Sequence, residues 1–182
     1  LVESKTGLGT YVVERGMPEG WFEYPKTPET LQELYEFRRA IEVPAAHLAA
    51  ERRTPSQLKA IKAAWAKCEI AVKNDSPDEF ANLDFYFHLA IIEATRNRFF
   101  VDAYRPLENA FGGYVNLILS LGPLRNMLHF HDDLIEAIER SDPVAAVAAV
   151  QQNFVETDVR RRLIQPTDKS HRRVNTQKNR LR

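Results

Sequence analysis

Asp84 and His88 lie four residues apart in the stretch LDFYFHLAIIEATRN, residues 83–97. Leu83, Phe87, Ile91 and Ala94 recur there at three- and four-residue spacing, the pattern of an amphipathic helix. On such a helix residues i and i+4 leave from one face, so this carboxylate and imidazole can converge on one point. Three outcomes are open to the pair: chelation of a metal, a pH-sensitive ion pair, or a solvated helix face with no site.

The other histidines divide by context. His47 sits among alanines and reads as packing, and His171 lies in a basic tail without any site pattern. His129 and His131 are two apart on an expected helix, about 200° around its axis, and so cannot easily share one metal. His131 falls on the stripe of Leu134 and Ile138, which makes it the inward residue and leaves His129 facing solvent. Asp84, His88 and His131 together would form an O, N, N ligand set that suits zinc, manganese, nickel or iron and leaves coordination positions open. Asn153 aligns helically with Ala146, Ala149 and Val150, so its amide is expected inside, where it needs partners such as a metal-bound water or a ligand oxygen.

The whole chain bounds these readings. Its 182 residues suit one domain with a fragment of a second, and 44% hydrophobic content with only 7 glycines points to a helical core. Acidic and basic residues balance at 25 each, so no overall field marks a polyanion binder, although basic residues crowd the stretch from Arg160 to Arg182. The single cysteine, Cys68, excludes an internal disulfide and suits a reducing cytoplasm, with a buried apolar role expected of it. No apolar run is long enough to span a membrane. There is no Gly-rich phosphate loop, G-x-S-x-G or H-E-x-x-H motif, and no paired E-x-x-H of a di-iron bundle.

The elements that must position these residues are helices. Residues 1–15 form the one β segment, two apolar runs about a Gly-containing turn, which is expected to belong to a larger unit lying upstream; residues 17–26 read as a linker. Thr27-Pro28-Glu29 starts a helix expected to reach 53, with Pro44 inside it. Thr54-Pro55 starts a second, to 73, and Ser76 is expected to cap a third that ends near Asn97 in the left-handed conformation. A fourth is expected over 99–121, interrupted at Pro106 and softened by Gly112-Gly113, which mark either a kink, a close approach to a ligand, or plain irregularity. A fifth follows over 124–140, and Ser141-Asp142-Pro143 starts a sixth over 144–164. The fold class is therefore all-α, an antiparallel bundle of about six helices preceded by a β-hairpin remnant, with residues 166–182 as a basic, disordered tail.

Four landmarks in order resemble the FadR-type branch of the GntR transcriptional regulators, which join an N-terminal winged helix-turn-helix to a helical effector-binding (FCD) domain. LVESKTGLGTYVVERG is similar to the wing that ends the DNA-binding domain, and LYEFRRAIEVPAAHLAAERRT to the opening helix, with an Arg ahead of a hydrophobic-Glu pair. LDFYFHLAIIEATRN resembles the D-x-x-x-H-x-x-I signature, and HDDLIEAIERSDPVAAVAAV the histidine helix and the start of the last helix.

The resemblance implies residues 1–16 as the end of a winged helix-turn-helix and 27–165 as an effector-binding and dimerising domain. In metal-binding members four side chains hold a divalent metal that in turn holds the carboxylate of a small organic acid. By match Asp84, His88 and His131 take three of these places, with zinc the first expectation, and Asn153 stands where a fourth histidine is expected. Arg38 matches the Arg of the opening helix and is expected either to bind an effector carboxylate or to pair with Glu42 at i+4. The expected function is a cytoplasmic bacterial regulator, a homodimer that binds DNA through its mostly missing N-terminal domain. Its alternatives are a metal-free effector domain and a helical metalloenzyme built on the same three ligands.

Overall fold

The computed structural model describes residues 2–5, 9–12, 27–119 and 129–162. Outside the described residues lie turn positions 6–8, the linker 17–26, the first part of the helix expected over 124–140, and the tail 166–182; so does the direction of the His129 side chain. Strands β1 (Val2–Lys5) and β2 (Gly9–Val12) pair antiparallel, with Val2 opposite Val12 and Lys5 opposite Gly9.

The helices among the described residues are α1 (Pro28–Arg52), α2 (Pro55–Lys73), α3 (Pro77–Ala94), α4 (Arg98–Tyr104), α5 (Glu108–Leu119), α6 (His129–Glu139) and α7 (Pro143–Arg162). The helix expected over 99–121 is thus divided into α4 and α5 by a 3₁₀ turn, Arg105–Leu107, at the proline that lacks a backbone donor. A Cβ on Gly112 would meet Asn82 Oδ1 at 3.4 Å, an ordinary contact, so packing alone does not demand glycine there.

Most starts follow local capping chemistry. Thr27 Oγ1 accepts from Thr30 N, and Thr54 and Gln57 form a reciprocal capping box at the head of α2. Ser76 occupies the N-cap of α3 without a side-chain cap bond, so Asp78 and Glu79 in the first turn are left to complement the exposed amides. The end of α3 differs from expectation. Arg96, not Asn97, takes the left-handed backbone (φ 56°), and Asn97 (φ −112°) caps α4 by accepting from Phe99 N. Asparagine suits both places, and here the cap of a new helix wins.

Helix α3 is the centre of the bundle, packed by α1, α2, α4 and α5, while α7 lies on α1 and α6. Its sequence explains this: Phe80, Phe85, Phe87, Leu89, Ile91 and Ile92 place apolar groups nearly all round, and all are buried. Each such side chain contributes roughly 1.5–3 kcal/mol when removed from water. On α1 the buried run Ala45, Ala46, Ala49 and Ala50 offers little bulk, which lets neighbouring backbones approach. Because α3 is interior, any polar residue on its inward face is carried into the core with it. Asp84 and His88 are those residues.

Candidate metal and effector site

Three helices each contribute an i,i+4 pair to one point, and a fourth contributes a single side chain. Arg38 and Glu42 come from α1, Asp84 and His88 from α3, Asn153 and Thr157 from α7, and His131 from the first turn described of α6. Asp84, His88 and His131 are 5%, 3% and 2% exposed, far below what isolated charged or polar groups tolerate without partners. Asp84 Oδ1 lies 3.7 Å from His88 Nε2 and 3.5 Å from His131 Nε2, and one ligand atom from each residue falls within 4.8 Å of the others.

These separations fit a metal. Two ligands each about 2.1 Å from a tetrahedral zinc stand roughly 3.4 Å apart, close to both Asp84 distances. The Asp84 Oδ1 atom is buried and accepts no hydrogen bond from the described residues, an expensive state for a carboxylate oxygen unless something else satisfies it. Burial raises the pKa of the Asp84 carboxyl, and neighbouring His88 and Arg38 offset this only in part. Burial also drives the His88 imidazole down to about 3, outweighing the pull of Asp84, with Arg38 and His131 adding to the fall. His88 is therefore neutral at physiological pH, the form in which imidazole is a ligand.

The surrounding side chains hold these groups in place. Trp65 of α2 stacks on the His131 ring (4.6 Å between centroids) and donates from Nε1 to Asp132 Oδ1 at 2.7 Å. The Phe87 ring meets His131 edge-on at 5.2 Å. Glu42 accepts from Arg38 Nε at 2.6 Å, from Arg38 Nη2 at 3.3 Å and from the Tyr104 hydroxyl at 2.6 Å, and its Oε2 lies 3.4 Å from His88 Nδ1. The Arg38 guanidinium also sits over the Phe111 ring at 4.1 Å. Burial opposes its charge, but Glu42 and then Tyr104 outweigh that and hold its pKa above the ordinary arginine value.

A cavity of about 20 Å³ joins Arg38, Asp84, His88, Tyr114, His131 and Asn153, with Val115 and Thr157 completing its wall. That is room for about one water molecule or one ion, and too little for an organic acid without movement of the walls.

The structure brings together every site residue named from the sequence: Asp84, His88, His131, Asn153 and Arg38 all line this cavity. Arg38 makes the expected ion pair with Glu42 and also lines the cavity. His47 stays apart, half exposed and 3.3 Å from Glu51. Sequence reasoning missed Glu42, Tyr104, Tyr114 and Thr157 as members of the site. The spacing of Thr157 from Asn153 and of Glu42 from Arg38 was the available signal.

Comparison with known proteins agrees with this architecture. Residues 33–155 match the FCD domain family. The HTH-type transcriptional regulator LutR of Bacillus subtilis is 34% identical over 103 residues, which cover 53% of this chain and 45% of LutR. A protein described as the uncharacterized HTH-type transcriptional regulator Rv0494 of Mycobacterium tuberculosis is 30% identical over 164 residues, covering 83% of this chain and 64% of that protein. The chain thus spans between about half and two thirds of the length of these relatives. Among solved structures, GntR of Streptococcus agalactiae superposes with a TM-score of 0.66 at 27% identity, over 88% of this chain and 74% of the other. McbR/YncC of E. coli gives 0.63 at 18% identity over 89% and 77%, a likeness of fold alone. These relatives are regulators rather than enzymes, which sets the metalloenzyme reading aside. The chain belongs to the FCD-domain family, within the GntR class of transcriptional regulators.

Proposed function

We propose that this chain is the effector-binding, dimerising part of a FadR-type regulator and that it senses a small organic acid at a divalent metal held by Asp84, His88 and His131. The observation that carries the reading is the buried Asp84 oxygen set between two histidine Nε2 atoms, in a cavity of the size of one ion. Zinc suits the O, N, N set best, with manganese, nickel and iron also compatible. When bound, the metal supplies a Lewis-acid point for a carboxylate oxygen. Asn153 stands at the α7 wall, where its amide can accept from a water or donate to a ligand oxygen. Arg38 offers the second anchor for a carboxylate, which would have to share the guanidinium with Glu42.

Effector entry then requires the walls of the small cavity to part, and such movement shifts how α1 and α7 sit on α3. An acid that binds one arrangement better than another biases the geometry of the linked DNA-binding domains of a homodimer in the bacterial cytoplasm. Among the described residues no helix is long and apolar enough to cross a membrane.

Metal analysis of the purified chain after loading tests the proposal. About one equivalent of zinc is expected in the wild type, with thermal stabilisation of about 2.7 kcal/mol at a hundredfold excess over Kd. Asp84→Ala and His88→Ala should each remove both. Loading below about 0.1 equivalent of every transition metal tried would sink the metal part, because sites of this kind bind at well below micromolar free metal. The DNA-binding part fails separately if the segment encoded ahead of residue 1 carries no helix-turn-helix pattern.

A further inference from the structure

Glu42, the Glu of the hydrophobic-Glu pair on α1, is buried at the centre of a network that reaches three helices, and the ligand set does not account for it. We propose that Glu42 is a positioning residue of the site, fixing His88 as the Nδ1–H tautomer so that the unprotonated Nε2 faces Asp84 and His131. The proposal rests on the reading of these three residues as a metal set and adds the group that aims one of them.

Polarity on both sides of the ring assigns the tautomer. The Glu42 carboxylate can only accept, and its Oε2 is 3.4 Å from Nδ1, which places the ring proton there. An arginine nitrogen can only donate, and Arg38 Nη2 is 3.5 Å from Nε2, which requires a lone pair there. Asp84 Oδ1, at 3.7 Å from Nε2, is farther than either neighbour. Metal-binding histidines commonly give their second N–H to a carboxylate, which orients the ring and raises its basicity. Glu42 is itself held: Oε1 accepts from both Arg38 Nε and the Tyr104 hydroxyl, each at 2.6 Å, so the carboxylate cannot rotate freely.

This arrangement predicts an unusual consequence for an isosteric change. In Glu42→Gln the single amide oxygen is claimed by the two donors at the Oε1 position, which turns the NH₂ toward His88 Nδ1 and gives up the longer 3.3 Å bond that Oε2 accepts from Arg38 Nη2. A donor there competes with Arg38 Nη2 for the single lone pair of the ring; the amide, pinned by two 2.6 Å bonds to its oxygen, outcompetes the 3.5 Å Arg38 contact and sends the ring proton to Nε2, the atom that must bind the metal. Glu42→Asp keeps a carboxylate, and Tyr104→Phe keeps Glu42 itself with one fewer donor.

The test is long-range ¹H–¹⁵N correlation of histidine-labelled, chelator-treated protein, with the His88 ring identified by its loss in His88→Gln, followed by zinc titration against a chelating dye. Wild type and Tyr104→Phe should show the Nδ1–H form. Glu42→Gln should show the Nε2–H form and bind zinc about 10- to 100-fold more weakly, with Glu42→Asp recovering part of the loss. An Nε2–H ring in the wild type overturns the proposal without recourse to any variant. So does a folded Glu42→Gln protein whose tautomer and zinc affinity are both unchanged. If the wild type binds no zinc yet its ring flips in Glu42→Gln, the assignment of His88 by Glu42 stands and the metal reading falls.

Discussion

Trp65 lies flat against the imidazole of His131, 4.6 Å between ring centroids, and this makes the residue a natural reporter of the site. With Trp21 changed to phenylalanine, Trp65 is the only tryptophan of the chain. Cobalt or nickel held by His131 should quench most of its emission, whereas zinc, with a filled d shell, should change it little. Stoichiometric cobalt binding that leaves the emission unchanged would remove His131 from the ligand set. At this scale the sequence was partly readable. Asp84 and His88 could be paired because i,i+4 geometry is local, and His131 could be turned inward because Leu134 and Ile138 share its stripe. Glu42 was legible only as the i+4 partner of Arg38, because its decisive partners, His88 and Tyr104, lie 46 and 62 residues away.

The end of α1 fastens the helices that carry the site. Arg53 donates to Ile138 O at 3.2 Å, to Glu139 O at 2.6 Å and to Ser141 Oγ at 3.2 Å, closing the last turn of α6. Next to it, Arg52 donates to Thr95 O at 3.3 Å beyond the end of α3. Arg53→Ala removes the 2.6 Å bond to Glu139 O and leaves Ile138 O with the bond from Ser141 N alone, and should cost about 1 kcal/mol in urea unfolding, with Arg52→Ala costing less because it loses one long bond. Equal effects would mean that the α6 contacts add nothing. Helix starts were legible wherever capping is a local matter, as at Thr27-Pro28 and Thr54-Pro55. The turn at Arg96 was not, because asparagine is favoured both after one helix and before the next, and only the approach of α4 decides between them. Likewise Pro106 announced an interruption, but its form, a 3₁₀ turn between two helices, depends on how Leu107 and Phe111 settle into the core.

On the scale of the whole molecule the site joins the first and last helices of the bundle across the central one, so its occupancy bears on how the ends of the domain are held. The crossing of α1, α3, α6 and α7 at one point could be expected from an all-α bundle, but not which wall would be tight and which would yield. One further consequence lies in the Arg38–Glu42 ion pair, whose side chains are nearly inaccessible to water. With Asp84 ionised, two carboxylates share the interior with one guanidinium, an excess of one negative charge that burial disfavours, as the raised pKa of Asp84 reflects. A divalent cation reverses the excess to one positive charge, and a monocarboxylate then cancels it. With Asp84 ionised, neutrality is reached when both ions are present, so each should tighten the other, and by the same factor. Zinc affinity measured by chelator competition should rise about 5- to 150-fold with a saturating monocarboxylate effector, and less with a dicarboxylate of similar size. On the proposed reading, a site balanced in this way would answer to the coincidence of two ions rather than to the abundance of either.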